Sequence, residues 1–336
     1  MIDDFEQQRV TLSTGIELDV VDIGPRDAPT LIFLHGFPES HRTWRYQLPY
    51  FSDRYRCIAP DQRGYRGSSK PQDAESYTPD KLIADIFALA DARGVDQFTI
   101  VGHDWGGAIA WGVALGGQPN GLHPAWSGRV IRAVIANAPH PAIFQRLLHT
   151  NAQQRAASQY IRTFRDPASD PIIAEHGIAG ILAHAFAGRV PSGGIQPPDE
   201  IARLLKDWED RDSCRAMINW YRASPADVPP IDAPYAEPPA APFPKLHIPT
   251  LVIWALDDVA PSGFVERHTM REKDFLGVVD IAVRDRLAEG VLEYGLQTEE
   301  QGSIVQAAAR LDIKERGIGV GGILQPVAGL VAVGVE

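Results

Sequence analysis

The stretch Phe98–Gly107 constrains the fold more than any other part of the chain. It begins as an apolar, β-branched run, continues as Gly102-His103-Asp104-Trp105-Gly106, and is followed at once by the apolar helical pattern of Ala108–Leu115. This order predicts a buried strand that turns sharply into a helix, because side chains at the two flanking glycine positions would collide with neighbouring backbone. Such a turn lifts Asp104 into a pocket.

The aspartate at the centre of this turn determines which chemistry the chain can support. A serine there would perform acyl transfer, whereas a carboxylate is a competent nucleophile toward an electrophilic sp3 carbon and forms an alkyl ester with it. Opening of an epoxide and displacement of a halide are the reactions of this kind. The alternative interpretation is structural, with Asp104 serving only as the N-cap of the following helix.

Strand and helix patterns alternate through the first part of the chain. Residues 10–13 and 17–23 alternate apolar and polar side chains around a Thr-Gly turn, which predicts an antiparallel hairpin. Further short apolar runs predict buried strands at 30–34, 56–60, 130–136 and 248–254, and the apolar spacing predicts an amphipathic helix at 79–92. The expected fold class is therefore α/β, with a mostly parallel central sheet flanked by helices.

Strand patterns disappear in the middle of the chain, from about residue 141 to residue 242. Helical patterns replace them at 155–164, 200–208 and 213–222. A helical insertion of this size after a sheet strand would act as a cap, or lid. The predicted organisation is a core at 1–140, a helical cap at 141–242, a returning strand and acid loop at 243–260, and a C-terminal segment of uncertain structure at 261–336.

The loop His35-Gly36-Phe37-Pro38 directly follows the strand predicted at 30–34 and is expected beside the turn at Asp104. Its glycine lets the backbone approach a ligand, and its proline fixes the turn, with a cis peptide bond as one option. The backbone N–H groups of Phe37 and Trp105 can then point at one developing negative oxygen. This pair predicts an oxyanion hole.

Composition excludes several kinds of partner. With a net charge of −11 and no basic cluster, the surface would repel nucleic acid and anionic membranes. Cys57 and Cys214 lack metal-ligand spacing, so neither a metal nor another cofactor is expected. The N-terminus lacks the pattern of a signal peptide, and the uncharged run at 317–335 contains glycines and a proline that make it a poor transmembrane helix. A small neutral substrate and a cytoplasmic location are expected.

Six short motifs along the chain point to one family. They are His35-Gly-Phe-Pro-Glu39, Asp61-Gln-Arg-Gly-Tyr65, Gly102-His-Asp-Trp-Gly106, Gln159-Tyr160, Asn219-Trp-Tyr-Arg222 and Trp254-Ala-Leu-Asp-Asp258. Together they resemble the α/β-hydrolase superfamily, and within it the epoxide hydrolases that use an aspartate nucleophile. The resemblance runs from about residue 8 to about residue 260 and implies an α/β-hydrolase fold, a helical cap and a small apolar epoxide as the substrate.

The resemblance also implies roles for individual residues. Asp104 would attack an epoxide carbon while two cap tyrosines, Tyr160 and Tyr221, hydrogen-bond the epoxide oxygen. A phenol suits this task because an alkoxide leaving group is very basic and needs a proton donor. Water activated by a histidine, itself oriented by an acidic residue, would then hydrolyse the ester. Asp258 matches the position of that acid, with Asp257 as the alternative.

Two alternative functions remain open. Haloalkane and haloacid dehalogenases share the fold and the aspartate, and Trp105 would serve a halide site as well as an epoxide site; their pattern, however, often carries Asn where this chain has Phe37. Fluoroacetate-type enzymes carry Arg at the position of Trp105. A ligand-binding protein without catalytic activity is an alternative of a different class. Intact Asp104, Tyr160 and Tyr221 argue against it, and the absence of a family-type histidine argues for it.

The chain departs from the family pattern after Asp258. The pattern requires a Gly-His motif after one more strand and then a closing helix, and this sequence has neither. The only later histidine is His268, which follows the acid too closely for the usual intervening elements and is retained as a candidate base. A shifted reading frame, or another replacement of the C-terminus, would produce such an abrupt loss of motifs.

This departure has two expected consequences. The sheet would lack its last strand and leave an edge and apolar surface exposed, which favours poor solubility or a homodimer. Alkylation of Asp104 needs no histidine but hydrolysis of the ester does, so the chain is expected to trap its substrate covalently.

Overall fold

The computed structural model describes residues 5–186, 198–236 and 244–255, together with 308–309 and 330–335. Within these residues one mixed sheet forms, with strands in the order β1-β2-β4-β3-β5-β6-β7-β9-β8. The strands are β1 (Gln8–Thr11), β2 (Glu17–Ile23), β3 (Thr30–Leu34), β4 (Arg56–Pro60), β5 (Phe98–His103), β6 (Val130–Ala136), β7 (Thr250–Ala255), β8 (Ala308–Ala309) and β9 (Leu330–Val335).

The middle of this sheet is parallel and its two sides are antiparallel. β4, β3, β5, β6 and β7 run parallel to one another, while β1 and β2 form a hairpin whose β2 strand pairs antiparallel with β4. Helices follow the parallel strands because such strands require crossover connections. They are α1 (Gln47–Phe51), α2 (Pro79–Ala92) and α3 (Trp105–Gly117) in the first part of the chain.

Between β6 and β7, the described residues 137–186, 198–236 and 244–249 form six further helices. They are α4 (Pro141–Thr150), α5 (Ala152–Ala157), α6 (Gln159–Arg165), α7 (Ser169–Ala185), α8 (Pro198–Asp207) and α9 (Arg211–Ala223). The helical patterns predicted at 200–208 and 213–222 correspond to α8 and α9. α7 is broken at Gly177, which has a positive φ of 63°.

The sheet separates two apolar layers. Successive side chains of a strand point to opposite faces, so Ile32 and Leu34 join the larger cluster, which includes the buried α3, and Leu31 and Phe33 join the smaller one. The five residues of β3 are all buried. Burial on both faces explains why this strand reads in the sequence as an unbroken apolar run.

Close backbone approach shapes the turn between β5 and α3. A Cβ atom on Gly106 would overlap the carbonyl oxygens of Leu34 and His35, and one on Gly102 would overlap the carbonyl of Gly106. The residue between these contacts, Asp104, has φ 52° and ψ −122°. A positive φ of this kind costs free energy for a residue with a side chain and persists only where the surroundings enforce it.

One predicted helix is two helices in the structure. The pattern at 155–164 predicts a single element, but α5 ends at Ala157 and α6 begins at Gln159, with Ser158 between them at φ −95° and ψ 2°. The Gln159 side-chain amide donates to the carbonyl of Arg155 (2.9 Å). Competition by such a polar side chain explains the break, which an apolar spacing pattern does not show.

The expectation of an exposed sheet edge beyond β7 is wrong. β9 pairs antiparallel with β7 from Thr250 opposite Val335 to Ala255 opposite Leu330, and β8 pairs with β9 in turn. The run Leu330-Val-Ala-Val-Gly-Val335 contains three β-branched valines, which favour a strand once an unpaired edge offers its backbone groups.

None of the helices in the described part of the chain has the length and apolar character that a membrane span requires.

The glycine contacts generate a stability prediction. Replacing Gly106 by Ala should lower the free energy of unfolding by about 2 to 3 kcal/mol, because the added methyl group meets backbone that cannot move aside. Gly112→Ala in the same helix is the matched control: its methyl group meets only the end of the Ile83 side chain, and alanine favours helix by up to about 1 kcal/mol. Urea denaturation of both variants checks this, and equal stabilities would contradict it.

Candidate active site

Two loops meet at one edge of the parallel sheet. Leu34 at the end of β3 lies opposite Gly102 near the end of β5, so the loop at 35–38 and the turn at Asp104 emerge side by side. The carboxyl ends of parallel strands are where open α/β sheets place functional groups. Gly36 is tight against Asp104, because a Cβ atom at this position would overlap the Asp104 side chain.

The Asp104 carboxylate lies against backbone N–H groups. The N–H of Phe37 donates to its Oδ1 at 2.7 Å. Burial raises the pKa of Asp104 to about 6, although the backbone N–H groups of Phe37 and Trp105 act to lower it. The side chain is half-buried, so solvent still reaches it. The same two N–H groups are those of the predicted oxyanion hole, and their role during a reaction stays a prediction.

His35 holds the neighbouring loop in place. Its Nε2 accepts from the backbone N–H of Gln62 (3.1 Å), so its Nδ1 carries the proton and donates to the carbonyl of Gly36 (3.0 Å). Burial lowers the pKa of His35 to about 4, so the ring is neutral at pH 7. The Phe37–Pro38 peptide bond is cis, as the sequence allowed. A neutral, fully hydrogen-bonded imidazole positions this loop and is not available as a base.

Tyr160 and Tyr221 come together above Asp104. Their ring centroids are 5.8 Å apart, and the Tyr221 ring lies 5.1 Å from that of Trp105 and 5.1 Å from that of Phe37, edge-on to both. Tyr221 is buried and Tyr160 half-buried. Tyr221 of α9 therefore contacts both Phe37 and Trp105, and Tyr160 of α6 adjoins Tyr221.

The protonation of the two phenols is coupled to the charge of Asp104. Burial raises the pKa of Tyr160, and the Asp104 charge adds to the rise, whereas a hydrogen bond with Tyr221 opposes it. Burial also raises the pKa of Tyr221, and the neighbouring Tyr160 and Asp104 raise it further. A hydrogen bond with the Trp105 side chain opposes this rise. Both phenols therefore keep their protons at neutral pH beside a carboxylate.

Glu39 and Tyr65 belong to this site, and the sequence analysis gave neither a role. Burial raises the pKa of Glu39 to about 7, the Asp104 and Glu200 charges add to the rise, and the Thr43 hydroxyl donates to the carboxylate at 2.6 Å. Tyr65 is buried, and no hydrogen-bond partner of its hydroxyl is found in the described parts of the chain. Both residues end motifs that carried the family resemblance, which was the available signal.

Helices α8 and α9 are attached to the core beside this site. The indole N–H of Trp208 donates to the carbonyl of Pro38 (2.8 Å), and that of Trp220 donates to the carbonyl of Arg63 (3.0 Å). Arg42 of the core bonds both Glu200 (2.8 Å) and Asp207 (2.5 Å) of α8. These contacts hold the helical segment over the loop at 35–38.

The remaining predicted site residues divide into two groups. His103 is the last residue of β5 and is half-buried, directly before Asp104. Asp257, Asp258 and His268 lie outside the described residues.

Comparison with known proteins identifies the family. A family model described as the alpha/beta hydrolase fold matches residues 29–260. The AB hydrolase superfamily protein YfhM of Bacillus subtilis is 31% identical over 264 residues, which cover 77% of this chain and 84% of that protein. The chain belongs to the α/β hydrolase fold family, and the predicted fold class is confirmed.

Relatives described as epoxide hydrolases are among the most similar proteins. A solved structure described as "novel epoxide hydrolases belonging to the alpha/beta hydrolases superfamily in metagenomes from hot environments" is 58% identical, with a TM-score of 0.73, covering 83% of this chain and 89% of that one. An epoxide hydrolase from Bacillus megaterium, solved with its diol product, is 26% identical with a TM-score of 0.63, covering 81% and 88%. Epoxide hydrolase 1 of Caenorhabditis elegans is 30% identical over 73% of this chain, but the match spans only 57% of that relative.

The raised pKa of Asp104 predicts a pH dependence for its alkylation. The carboxylate is the reactive form, so labelling by phenacyl bromide should be slow below about pH 6, rise through that value and level off above it. Labelling of the peptide containing Asp104, followed by mass spectrometry, measures this, and the Asp104→Asn variant should show none. A rate already level at about pH 4 to 5 would contradict the raised pKa.

Proposed function

We propose that the protein is an epoxide hydrolase that opens a small apolar epoxide to a vicinal diol through an ester on Asp104. The observation that carries this proposal is the convergence of two protonated phenols, Tyr160 and Tyr221, on the space beside the Asp104 carboxylate. Relatives described as epoxide hydrolases, one of them 58% identical, support it.

In the first step a carboxylate oxygen of Asp104 attacks a carbon of the three-membered ring. The C–O bond of the ring breaks, its electron pair goes to the epoxide oxygen, and a phenol supplies the proton that turns the alkoxide into a hydroxyl. Two phenols suit this step better than one, because one can donate its proton while the other hydrogen-bonds the same oxygen. Their raised pKa values ensure that both protons are in place.

The helical segment α4–α9 acts as a lid in this proposal. It supplies both phenols, and its tryptophans Trp208 and Trp220 attach it to backbone carbonyls of the core. The aromatic rings of Phe37, Trp105 and Phe164 surround Tyr221 at centroid distances of 5.1, 5.1 and 4.9 Å. Such apolar walls favour an apolar substrate and exclude bulk water from the reacting carbon.

In the second step water attacks the ester carbonyl. The backbone N–H groups of Phe37 and Trp105 are suited to hold the oxyanion that develops, because they already lie against the Asp104 carboxylate. The attacking water loses a proton to a base, and the bond between the Asp104 carbonyl carbon and the ester oxygen then breaks. The released alkoxide takes the proton of the new Asp104 carboxyl group and leaves as the diol, and the proton on the base returns to the phenolate left by the first step. Asp258 and His268, the acid and base candidates from the sequence, lie outside the described residues.

Among the described residues, Glu39 is the group suited to act as this base. Its pKa of about 7 matches a base that works near neutrality, and its charge interacts with that of Asp104. The N–H of Glu39 donates to the carbonyl of Gly36 (3.0 Å), so it lies on the same tight turn as the oxyanion-hole residue Phe37. We therefore assign proton removal in the second step to Glu39.

The two alternative functions are less well supported. A halide site requires the indole N–H of Trp105 to face the leaving group, whereas the Trp105 side chain hydrogen-bonds Tyr221. A binding protein has no need to keep a carboxylate in a strained backbone conformation with φ 52° beside two protonated phenols. Both observations favour the epoxide reaction.

Incubation with styrene oxide tests the proposed function. Intact-protein mass spectrometry should show the addition of one epoxide molecule at Asp104, and chromatography should show the diol. The ratio of adduct to diol reports whether hydrolysis of the ester is as fast as its formation. Asp104→Asn should abolish both products, because an amide does not attack the ring. Asp53→Asn, at an exposed position, is the matched control and should behave as the parent protein. Diol formation by Asp104→Asn would contradict the proposal.

The role of Glu39 is tested by Glu39→Gln. The Asp104 adduct should form as in the parent protein but decay about 100-fold more slowly, which is the usual contribution of a positioned base. Glu75→Gln, whose carboxylate is exposed, is the control. Decay in the parent protein should accelerate as the pH rises toward about 7, because only the ionised carboxylate accepts a proton. A parent adduct that does not decay, or an unchanged rate in Glu39→Gln, would show that Glu39 is not the base.

A further inference from the structure

The two phenols are carried by two helices, α6 and α9, that pack against each other. Tyr160 lies in the first turn of α6 and Tyr221 in the last turn of α9. Phe164, fully buried, lies between them, with ring centroids 5.4 Å from Tyr160 and 4.9 Å from Tyr221. The distance between the phenols therefore depends on how the end of α6 is joined to the end of α9.

Arg165, the last residue of α6, bonds the end of α9. Its Nε donates to the carbonyl of Tyr221 (2.8 Å), its Nη2 to that of Ser224 (2.9 Å) and its Nη1 to that of Ala226 (2.7 Å). The carbonyls at the C-terminal end of a helix lack backbone partners and attract cations. All three guanidinium nitrogens are directed at backbone, and one of them holds the backbone of a proposed catalytic phenol directly.

Arg222 makes the reverse connection. It follows Tyr221 in α9, and its Nε donates to the carbonyl of Phe164 near the end of α6 (3.2 Å). Its Nη2 bonds the hydroxyl of Ser169 (3.1 Å) and the carboxylate of Asp170 (2.6 Å) at the start of α7. The C-terminal end of each of these two helices is thus bonded by an arginine of the other helix.

We propose that Arg165 and Arg222 are positioning residues that set the separation and direction of the Tyr160 and Tyr221 hydroxyls, an assignment that rests on the proposed epoxide reaction. The planar guanidinium fork fixes direction as well as distance, which a lysine cannot do. Two donors must converge on one epoxide oxygen, and misplacement by about 1 Å can cost about 100-fold in rate. The arginines touch no reacting atom and act only through the phenols.

The effect of this pair should depend on the leaving group. Ring opening needs a proton from a phenol, whereas the bromide released from phenacyl bromide takes none, although Asp104 attacks carbon in both reactions. Arg165→Met should therefore lower the single-turnover rate of Asp104 alkylation by styrene oxide about 10- to 100-fold and leave alkylation by phenacyl bromide unchanged. Arg165→Lys, which keeps the charge and loses the fork, should show the same selective loss, and so should Arg222→Met.

Arg162→Met is the matched control. Arg162 lies on the same helix, is exposed and donates to the carbonyl of Val228 (3.0 Å), away from the phenols. It should leave both alkylation rates unchanged. A double-mutant cycle supplies a second readout: in a Tyr160→Phe background, Arg165→Met should cause little further loss, because the donor that it aligns is already gone.

Three results would overturn the assignment. The first is an unchanged rate of alkylation by styrene oxide in Arg165→Met and Arg165→Lys. The second is an equal loss of rate with both alkylating agents, and the third is full additivity in the double-mutant cycle. Either of these last two results would indicate a general structural role. A parent protein that reacts with phenacyl bromide but forms neither adduct nor diol with styrene oxide would instead overturn the proposed function, and with it the premise of this assignment.

Discussion

The close packing of the turn between β5 and α3 against the end of β3 is the constraint on which the site depends. Gly106 leaves no room for a side chain beside the Leu34 carbonyl, and Gly36 leaves none beside Asp104. This contact forces Asp104 into a positive φ and brings its carboxylate within 2.7 Å of the Phe37 N–H. The Asp104 carboxylate and the N–H groups of the proposed oxyanion hole thus belong to one backbone arrangement, and a change in either loop alters both.

The position of the Asp104 carboxylate raises its pKa and affects the protonation of the neighbouring phenols. The two N–H groups replace part of the lost hydration, so Asp104 titrates near 6 and is ionised at neutral pH. Its charge in turn discourages ionisation of Tyr160 and Tyr221. Above about pH 6 the Asp104 carboxylate is therefore ionised, while burial and the Asp104 charge keep both phenols protonated. Bulk water would weaken each of these interactions.

The sequence predicted the parts of this arrangement that local patterns encode. The unbroken apolar run Thr30–Leu34, the amphipathic spacing of Pro79–Ala92 and the glycines around Asp104 report burial, helix and turn directly, and the structure has them at those positions. The break at Ser158 and the pairing of β9 with β7 were missed because each depends on a partner distant in sequence or on one polar side chain. Glu39 was missed for a similar reason: the motif that it ends gave a signal, but its burial and its proximity to the Asp104 charge appear only in the fold.

The reciprocal arginines extend this argument from the carboxylate to the phenols. Asp104 is held by backbone packing between the turn after β5 and the loop that follows β3. This packing cannot change without destabilising the core. The phenols instead lie on short helices, and α6, with seven residues, is too short to be stable by itself. Its position must come from tertiary contacts, and Arg165 and Arg222 supply directional ones where the C-terminal ends of α6 and α9 meet. The rigid half of the site thus carries the proposed nucleophile, and the helical half carries the proposed proton donors, aligned by bonds that side chains can make and break.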